Sequence, residues 1–490
     1  MTSGGRASTG RRALSAPTGR GTPSVPTGRK AGPARRAASG ATLGTTAPAR
    51  GFAPARGYAL PVLLALLLVL VTACGSRLPE SDFEHREGPP PTGAAPPPIT
   101  VGIISSATSP VGGQAFTGPR DGARAYFAAL NARGGVNGRP VEVVTCDDGG
   151  SGIGNNECVH RLLAERKVFA LVATTALDYA GAPRVSDAGV PDIGGQPIGS
   201  AYETYPHLYG IYGSVAPRNG DEPGWGGRLY GGTEVYRYFK RAQRARTAAV
   251  VSYNQAASAA YARLVVRGLE AEGYEVVTEQ VDFALPNFAA VAADLRDQDT
   301  DLVFDSMDTH GNAQLCAAMD AAGVKPTAKV TNVQNWSDSV PEDYKDAPGC
   351  RNALWVTGSS RNYDDTGHPA VREFRAGMAR YGKGSGPLSQ WQLEGWAAAM
   401  WFADAARSCG ADPTRACVER YLGRDTPYTA RGLLVPTSFT PMERPPATRR
   451  TCLSVARWQD AARGGKGGWV TQGGDMDRNC FTVPQLPYRP

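Results

Sequence analysis

Disulfide formation by cysteine is the side-chain chemistry that this sequence indicates most clearly. The chain has nine cysteines, and eight of them follow a hydrophobic stretch typical of exported proteins. An even number of cysteines in an exported chain favours disulfides. Eight cysteines allow 105 pairings, and spacing selects none of them. We expect sequential neighbours to pair, because each such pair closes a short excursion of the chain. The eight residues are Cys146, Cys158, Cys316, Cys350, Cys409, Cys417, Cys452 and Cys480.

Metal, nucleotide and catalytic chemistry have no comparable pattern in the sequence. No CxxC motif occurs and no histidine stands at ligand spacing beside a cysteine, so no zinc site is predicted. The glycine-rich stretch 220–232 contains neither a phosphate loop nor a GxGxxG turn after a strand, which argues against a nucleotide cofactor. GxSxG and HExxH are absent, and no nucleophile has a paired base. We therefore predict no cofactor, no metal and no catalytic residue.

The hydrophobic stretch ahead of these cysteines has the length of a secretory signal. Val62–Val71 is ten apolar residues in a row, whereas a membrane-spanning helix needs roughly 18 or more. Positive charge precedes the run and small residues follow it. Its end, Val71-Thr72-Ala73-Cys74, resembles the lipobox of bacterial lipoproteins. That resemblance implies that Cys74 is lipidated and becomes the first residue of the mature chain. An ordinary cleaved signal with a chance cysteine is the alternative.

Charge and composition divide the chain further. Residues 1–73 hold ten Arg and Lys and no acidic residue, which leaves 42 basic against 45 acidic residues in the mature chain, a net charge near −3. The basic balance of the whole chain therefore gives no support for nucleic-acid binding. We expect residues 1–56 to be disordered, residues 57–73 to be the signal core, and residues 74–98 to form a proline-rich tether. A mis-assigned start codon is an alternative explanation for the long basic segment.

Beyond the tether, short apolar runs alternate with amphipathic segments. Ile99–Ser105 is rich in β-branched residues and indicates a buried parallel strand. Residues 120–133 carry apolar side chains at helical spacing, and residues 141–145 form a second strand. This βαβ order recurs, so we predict two α/β lobes with mostly parallel sheets. The predicted boundaries are 99–215 and 358–440 for lobe 1, and 216–357 and 441–490 for lobe 2.

The C-terminal third shows a weaker pattern. A helix is expected over residues 388–407, with Trp391, Trp396 and Trp401 as packing residues between elements. From residue 436 the chain is rich in proline and glycine, and we expect a single strand there, at residues 453–458.

Several segments resemble the type I periplasmic binding proteins, and within that family the branched-chain amino-acid (Leu/Ile/Val) binding proteins of ABC importers. The most specific segment is LNARGGVNGR at residues 130–139. Val190-Pro191 before the loop 194–200 and LCAAMDAAGV at residues 315–324 are further matches. The resemblance extends over about residues 99–440. It implies two Rossmann-like lobes, joined by hinge strands, that close over a ligand in the cleft.

In such a fold the ligand lies beyond the carboxyl ends of the parallel strands, where helix N-termini offer free N–H groups. The resemblance implies that Thr175 and Gln196 hold the carboxylate and amino group of an amino acid, and it makes Asp308 a candidate for an ammonium group. Thr174 and Thr175 could instead cap a helix, and His310 is either a further contact or a solvated loop residue. The candidate ligand contacts are Ser105, Thr108, Thr174, Thr175, Gln196, Tyr253, Asn254, Asp308, Gln334 and Asn335.

With this resemblance we predict an extracytoplasmic solute-binding lipoprotein, anchored to the outer face of the bacterial cell membrane through Cys74. It would capture a small polar ligand by hinge closure and deliver it to an ABC permease. A ligand sensor of the same fold that reports to a membrane receptor is one alternative. An exported enzyme on an α/β scaffold is another. No nucleic-acid partner is predicted.

Overall fold

The computed structural model describes residues 96–490. The predicted signal core, Cys74 and most of the predicted tether lie outside the described residues. Within residues 96–490, no helix combines the length and the apolar character that crossing a bilayer requires.

Strands and helices alternate through most of the described chain. The strands are β1 Ile99–Ser105, β2 Val141–Asp147, β3 Ala170–Val172, β4 Asp192–Gly195, β5 Leu208–Gly210, β6 Leu229–Gly232, β7 Thr247–Tyr253, β8 Glu275–Val281, β9 Leu302–Ser306, β10 Ala328–Thr331, β11 Leu354–Gly358, β12 Thr448–Cys452, β13 Ser454–Gln459, β14 Gly468–Thr471 and β15 Cys480–Tyr488. The helices are α1 Gly113–Phe116, α2 Gly118–Asn131, α3 Gly152–His160, α4 Ala182–Asp187, α5 Glu234–Gln243, α6 Ala256–Ala271, α7 Phe288–Asp297, α8 Thr309–Ala322, α9 Val340–Asp343, α10 Pro348–Arg351, α11 Pro369–Tyr381, α12 Gln390–Ser408, α13 Arg415–Leu422 and α14 Ala462–Gly465.

The first sheet is parallel throughout, in the strand order β2-β1-β3-β4-β5. β1 is buried along almost its whole length, as expected for a strand that is covered on both faces. α2 buries the stripe that includes Tyr126, Phe127 and Leu130, and α11 and α12 pack against it. We call this sheet with its helices lobe 1.

The second sheet has seven strands in the order β14-β13-β11-β10-β9-β7-β8. The strands β7 to β11 are parallel, and β13 and β14 extend the sheet from the edge of β11 as antiparallel strands. This sheet with its helices is lobe 2. The predicted α/β fold with two mostly parallel sheets is confirmed.

The C-terminal tail is more ordered than its sequence suggests. The expected strand at residues 453–458 corresponds to β13, but β12, β14 and β15 also form there. β12 and β15 join β6 in a third, antiparallel sheet of order β12-β15-β6. The expectation of a single strand was wrong because β15 contains Pro484 and Pro487, which normally argue against a strand, and because β12 is mostly polar.

The eight cysteines of the described residues pair as sequential neighbours, as expected from the sequence. The distances between the paired Cα atoms range from 4.0 to 5.9 Å, close to the range that a disulfide requires. The pairs are Cys146–Cys158, Cys316–Cys350, Cys409–Cys417 and Cys452–Cys480.

The chain crosses between the two lobes three times, and we call these segments the passages. They are, in chain order, residues 211–228, 359–368 and 423–447. Backbone hydrogen bonds hold them side by side: Arg361 N–H donates to the Leu433 carbonyl at 2.7 Å, and Ser214 N–H donates to the Ser438 carbonyl at 3.1 Å. Three adjacent segments therefore connect the lobes.

Candidate functional site

A cavity of about 350 Å³ lies between lobe 1 and lobe 2. Lobe 1 lines it with residues 112–118, around the start of α2, and with residues 386–392, around the start of α12. Lobe 2 lines it with four residues around the start of α8 and with five residues of the segment that follows β10. They are Asp308, Thr309, His310, Ala313, Val333, Gln334, Ser337, Ser339 and Asp343. A volume of this size holds a small metabolite.

The three longer helices α2, α8 and α12 begin at this cavity, next to the short helix α1. The first N–H groups of a helix have no partner within the helix and carry a partial positive charge. At α12, Ser389 accepts from the Gln392 N–H while the Gln392 side chain accepts from the Ser389 N–H, a capping box. At α8, Asp308 accepts from the Gly311 N–H at 3.0 Å. At α12 the Gln390 N–H also has a partner, the Trp336 carbonyl at 2.8 Å, and α2 has Pro119, which has no N–H, at its second position. The positive ends of the helix dipoles, more than a set of free N–H groups, therefore make the site suitable for a ligand with an anionic group.

Glycines bring the starts of α2 and α12 close together. A Cβ atom at Gly122 would lie 1.9 Å from the Gln392 carbonyl oxygen, and one at Gly395 would lie 2.0 Å from the Pro119 carbonyl oxygen. Any larger residue at either position would therefore push the two helices apart. This close approach places Thr117 and Gln392 on the same wall of the cavity.

Lobe 2 supplies the negative charge of the site. Asp308 accepts a hydrogen bond from the Tyr253 hydroxyl at 3.0 Å, and Asp343 accepts one from the Ser339 hydroxyl at 2.6 Å. Burial raises the pKa of Asp343, and the bond from Ser339 opposes that rise. Among the described residues that line the cavity there is no lysine or arginine. The lobe 2 wall therefore attracts a cation, whereas the lobe 1 wall presents N–H and hydroxyl groups.

An aromatic side chain supplies the apolar part of the cavity wall. Trp391 is 4% exposed, lines the cavity and packs against Phe116 with the ring centroids 5.6 Å apart. Its indole N–H has no hydrogen-bond partner among the described residues. The cavity thus combines one apolar surface with polar groups on opposite walls.

Two of the ten predicted contacts line this cavity, namely Asp308 and Gln334. Tyr253 is linked to it through its bond to Asp308. Asn335 is buried and donates to the Thr331 hydroxyl at 2.8 Å. Asn254 is exposed and donates to Asp282 at 2.8 Å. His310, the additional candidate, also lines the cavity.

The five predicted contacts from lobe 1 lie away from the cavity. Thr174 donates to Asp192 at 3.0 Å, Thr175 donates to the Ala173 carbonyl at 3.2 Å, and both side chains are fully buried. Gln196 donates its amide to Glu394 at 2.7 Å. These groups are satisfied inside lobe 1 and are not available to a ligand in this structure. Ser105 is buried, and Thr108 is exposed with its N–H donating to Asp147 at 3.3 Å.

Most of the lobe 1 wall was not predicted from the sequence. The segment 386–392 lies far along the chain from the strand-end loops, and Trp391 was expected only to pack between elements. The Ser-x-x-Gln pattern at residues 389–392 is the signal that marks the helix start there. Within the described part of the chain, no group of three or more His, Cys, Asp or Glu side chains is arranged to hold a metal ion.

Comparisons with known proteins agree with this architecture. A family model described as periplasmic binding protein matches residues 98–466. No curated protein sequence matches the chain significantly.

Solved structures share the fold at low sequence identity. A fatty acid ABC transporter substrate-binding protein from Thermomonospora curvata is 17% identical with a TM-score of 0.59, and the match covers 80% of this chain and 96% of that one. A branched-chain amino acid transporter substrate-binding protein from Streptococcus pneumoniae, in complex with isoleucine, is 14% identical with a TM-score of 0.57, covering 76% and 99%. A solute-binding protein from R. palustris, in complex with benzoate, is 14% identical with a TM-score of 0.57, covering 79% and 97%.

Proposed function

The chain belongs to the periplasmic binding protein family, and from that premise we propose that it captures a small zwitterionic ligand, an amino acid or a related compound, outside the cytoplasm for an ABC importer. The solved relatives named above are solute-binding proteins. Their ligands differ, however, so the ligand class must be argued from the cavity of this chain.

The observation that carries the proposal is the division of charge across the cavity. Lobe 1 presents the starts of α2 and α12, and the positive end of each helix dipole favours a carboxylate. At α12 the Gln390 and Gln392 N–H groups are already bonded, so the Trp391 N–H is the one that a carboxylate can reach. Lobe 2 presents Asp308 and Asp343, which favour an ammonium group. A ligand that carries both groups satisfies both walls, and its apolar part can contact Trp391.

The same division explains how capture would work. A ligand that contacts both walls gains all of its contacts only when lobe 1 and lobe 2 face each other across the cavity. Its differential affinity then shifts the population toward that arrangement. The three passages are the segments that must bend for the lobes to separate.

Anchoring through Cys74 is the second part of the proposal, and it depends on the sequence, because Cys74 lies outside the described residues. Two or more acyl chains at one cysteine hold a protein at a membrane durably. Replacing Cys74 with serine is expected to release the protein from the membrane fraction into the medium. Continued membrane retention and lipid labelling of the variant would contradict lipidation at this residue.

A matched ligand panel tests the ligand class. Thermal unfolding is measured with leucine and with 4-methylpentanoate, which is leucine without its amino group, and then with the other amino acids in the same way. At 100 times its Kd a ligand stabilises the folded protein by about 2.7 kcal/mol. Amino acids are expected to raise the Tm while their deaminated counterparts do not. Equal stabilisation by both members of a pair would show that the ammonium group of the ligand does not contribute to binding.

A further inference from the structure

Glu394 is a fully buried carboxylate that links separate parts of the chain. It lies on α12 and has no exposed surface. It accepts hydrogen bonds from the Gln196 amide at 2.7 Å, from the Tyr212 hydroxyl at 3.0 Å and from the Ser360 hydroxyl at 2.6 Å. Three donors from three different segments therefore converge on one side chain.

Two of these donors belong to the passages between the lobes. Tyr212 lies in the first passage, directly after β5, and Ser360 lies in the second passage, directly after β11. The second passage is in turn bonded to the third through the Arg361 N–H and the Leu433 carbonyl. Glu394 thus links the passages to α12, a helix of lobe 1, through hydrogen bonds.

The same helix start also forms part of the ligand cavity. Trp391 and Gln392 line the cavity and precede Glu394 by less than one helical turn. Gln390, the first residue of α12, donates to the Ser360 hydroxyl oxygen at 2.7 Å and to the Arg361 carbonyl at 2.8 Å. A movement of the passages therefore also moves the cavity wall.

No cation compensates Glu394 among the described residues. Burial raises its pKa to about 7, although the three hydrogen bonds favour the ionised form. The Tyr212 hydroxyl is the titratable group in contact with it. Charged groups that are not exposed on the elements packed against α12 are bonded elsewhere. They are Arg120 with Asp121, Asp192 with Thr174, Tyr179 and Tyr202, Glu419 with His207, Arg375 with Asp364, Glu373 with Arg431, and Arg415 with the Val168 and Phe169 carbonyls.

We propose that Glu394 is a positioning residue that controls the lobe arrangement: its neutral form holds the passages as described here, and its ionised form releases them. The neutral acid avoids the cost of a buried charge. Its own O–H then donates to the Tyr212 or the Ser360 hydroxyl oxygen, and the other two groups continue to donate to the carboxyl group. Any arrangement that lets water reach the carboxyl group favours the ionised form. Raising the pH through neutrality therefore favours loosened passages, and lowering it favours the cavity-forming arrangement.

Hydrogen–deuterium exchange of the ligand-free protein tests this inference. Exchange is measured at pH 6 and pH 8 for peptides covering residues 208–216 and 356–364, corrected for the intrinsic effect of pH on exchange. Protection of these peptides is expected to be about tenfold lower at pH 8 than at pH 6. This factor follows if the pKa of Glu394 falls from near 7 to its ordinary value when the passages open. In E394Q, which is neutral at both pH values, the corrected protection is expected to be the same at pH 6 and pH 8.

D192N is the matched control. Asp192 is also fully buried and bonded to three hydroxyl groups, but its partners lie within lobe 1. This variant should therefore keep the wild-type pH dependence of the passages.

Y212F is a second test variant, to be used if E394Q does not fold. It removes a donor to the ionised form, so the midpoint of the exchange transition should move to higher pH.

Two results would overturn the inference. One is a wild-type protein whose passages exchange equally at both pH values, and the other is a Glu394 variant that keeps the full pH dependence. Because no ligand is present in these measurements, failure of the amino-acid proposal would leave this outcome unchanged.

Discussion

Lobe 1 and lobe 2 use the carboxyl ends of their parallel strands in different ways. In lobe 1 the polar side chains after β3 and β4, Thr174, Thr175 and Gln196, are turned inward and bonded to groups of the same lobe. In lobe 2 the side chains after β9 and β10, Asp308 and Gln334, reach the cavity. Topology thus fixes which loops lie near the cleft, but local hydrogen bonding decides which side chains a ligand can contact.

The lobes also stabilise a buried carboxylate by different means. In lobe 2, Asp305 pairs with Lys329 at 2.6 Å, and neither side chain is exposed. In lobe 1, Asp192 accepts bonds from the hydroxyl groups of Thr174, Tyr179 and Tyr202, and no lysine or arginine of residues 96–490 pairs with it. A cation keeps a buried carboxylate charged, whereas hydroxyl groups leave it able to become neutral.

The largest expected effect is on lobe 2. Replacing Lys329 with methionine leaves the charge of Asp305 buried without a partner, which should lower the free energy of unfolding by about 3–5 kcal/mol. Chemical denaturation measures this loss. K345M is the control, because Lys345 pairs with Glu342 on the surface and its removal should have no measurable effect. Similar losses in the two variants would contradict a special role for the buried pair.

The next effect is the pH dependence of lobe 1. Burial raises the pKa of Asp192 from 3.8 to about 6. The neutral form therefore contributes stability that is fully present below about pH 4 and is lost as the pH rises through 6, in total about 3 kcal/mol. D192N should remove this component from the dependence of unfolding free energy on pH. Parallel curves for wild type and variant would show that Asp192 does not titrate in this range.

A ligand-binding variant compares the two walls of the cavity directly. D308N keeps the cap of α8 but removes the charge offered to an ammonium group. We expect the amino-acid ligand identified by the thermal panel to bind about 30-fold more weakly, equivalent to about 2 kcal/mol. Isothermal titration calorimetry measures the change. Unaltered affinity would remove Asp308 from the site.

The disulfides of the two lobes should differ by a smaller amount. Cys146 and Cys158 in lobe 1 are 12 residues apart, whereas Cys316 and Cys350 in lobe 2 are 34 apart. On chain-entropy grounds, replacing the lobe 2 pair with serine should cost about 1 kcal/mol more than replacing the lobe 1 pair. Denaturation of the two double variants tests this, and a reversed order would show that native packing outweighs chain entropy.

The smallest effect is expected at the lobe 1 strand end. The Thr175 hydroxyl donates to the Ala173 carbonyl and lies away from the cavity. T175A should therefore change ligand affinity by less than about twofold, since it removes no ligand contact, and should lower stability by about 1 kcal/mol. If T175A weakened binding as strongly as D308N, the ligand would lie at the strand ends of lobe 1 and not in the cavity described here.

Sequence patterns were sufficient for the fold because its elements are long and periodic. β1 was predicted with the boundaries that the structure has, and the helix expected over residues 388–407 is α12, Gln390–Ser408. Helix α12 begins two residues later than expected, because the Ser389 side chain caps it. Capping by a single side chain decides such ends, and apolar spacing does not reveal it.

The candidate site could be predicted only in part. Asp308 and Gln334 line the cavity, and their position could be predicted because strand-end loops can be located from the alternation of elements. Thr175 and Gln196 lie in such loops too, but their side chains are bonded inside lobe 1, as Gln196 is to Glu394. A sequence pattern does not show which partner a buried side chain bonds to. Trp391 was missed because its role depends on α2 and α12 approaching each other, a contact between segments distant in sequence.

The arrangement of the disulfides has a consequence for export. The paired intervals are 12, 34, 8 and 28 residues long, and none contains a cysteine of another pair. A chain that emerges from a translocation pore N-terminus first would present each of these thiols with its native partner before any later cysteine appears. Oxidation in order of emergence would then give the native connectivity directly, without the slow reshuffling that interleaved pairs require.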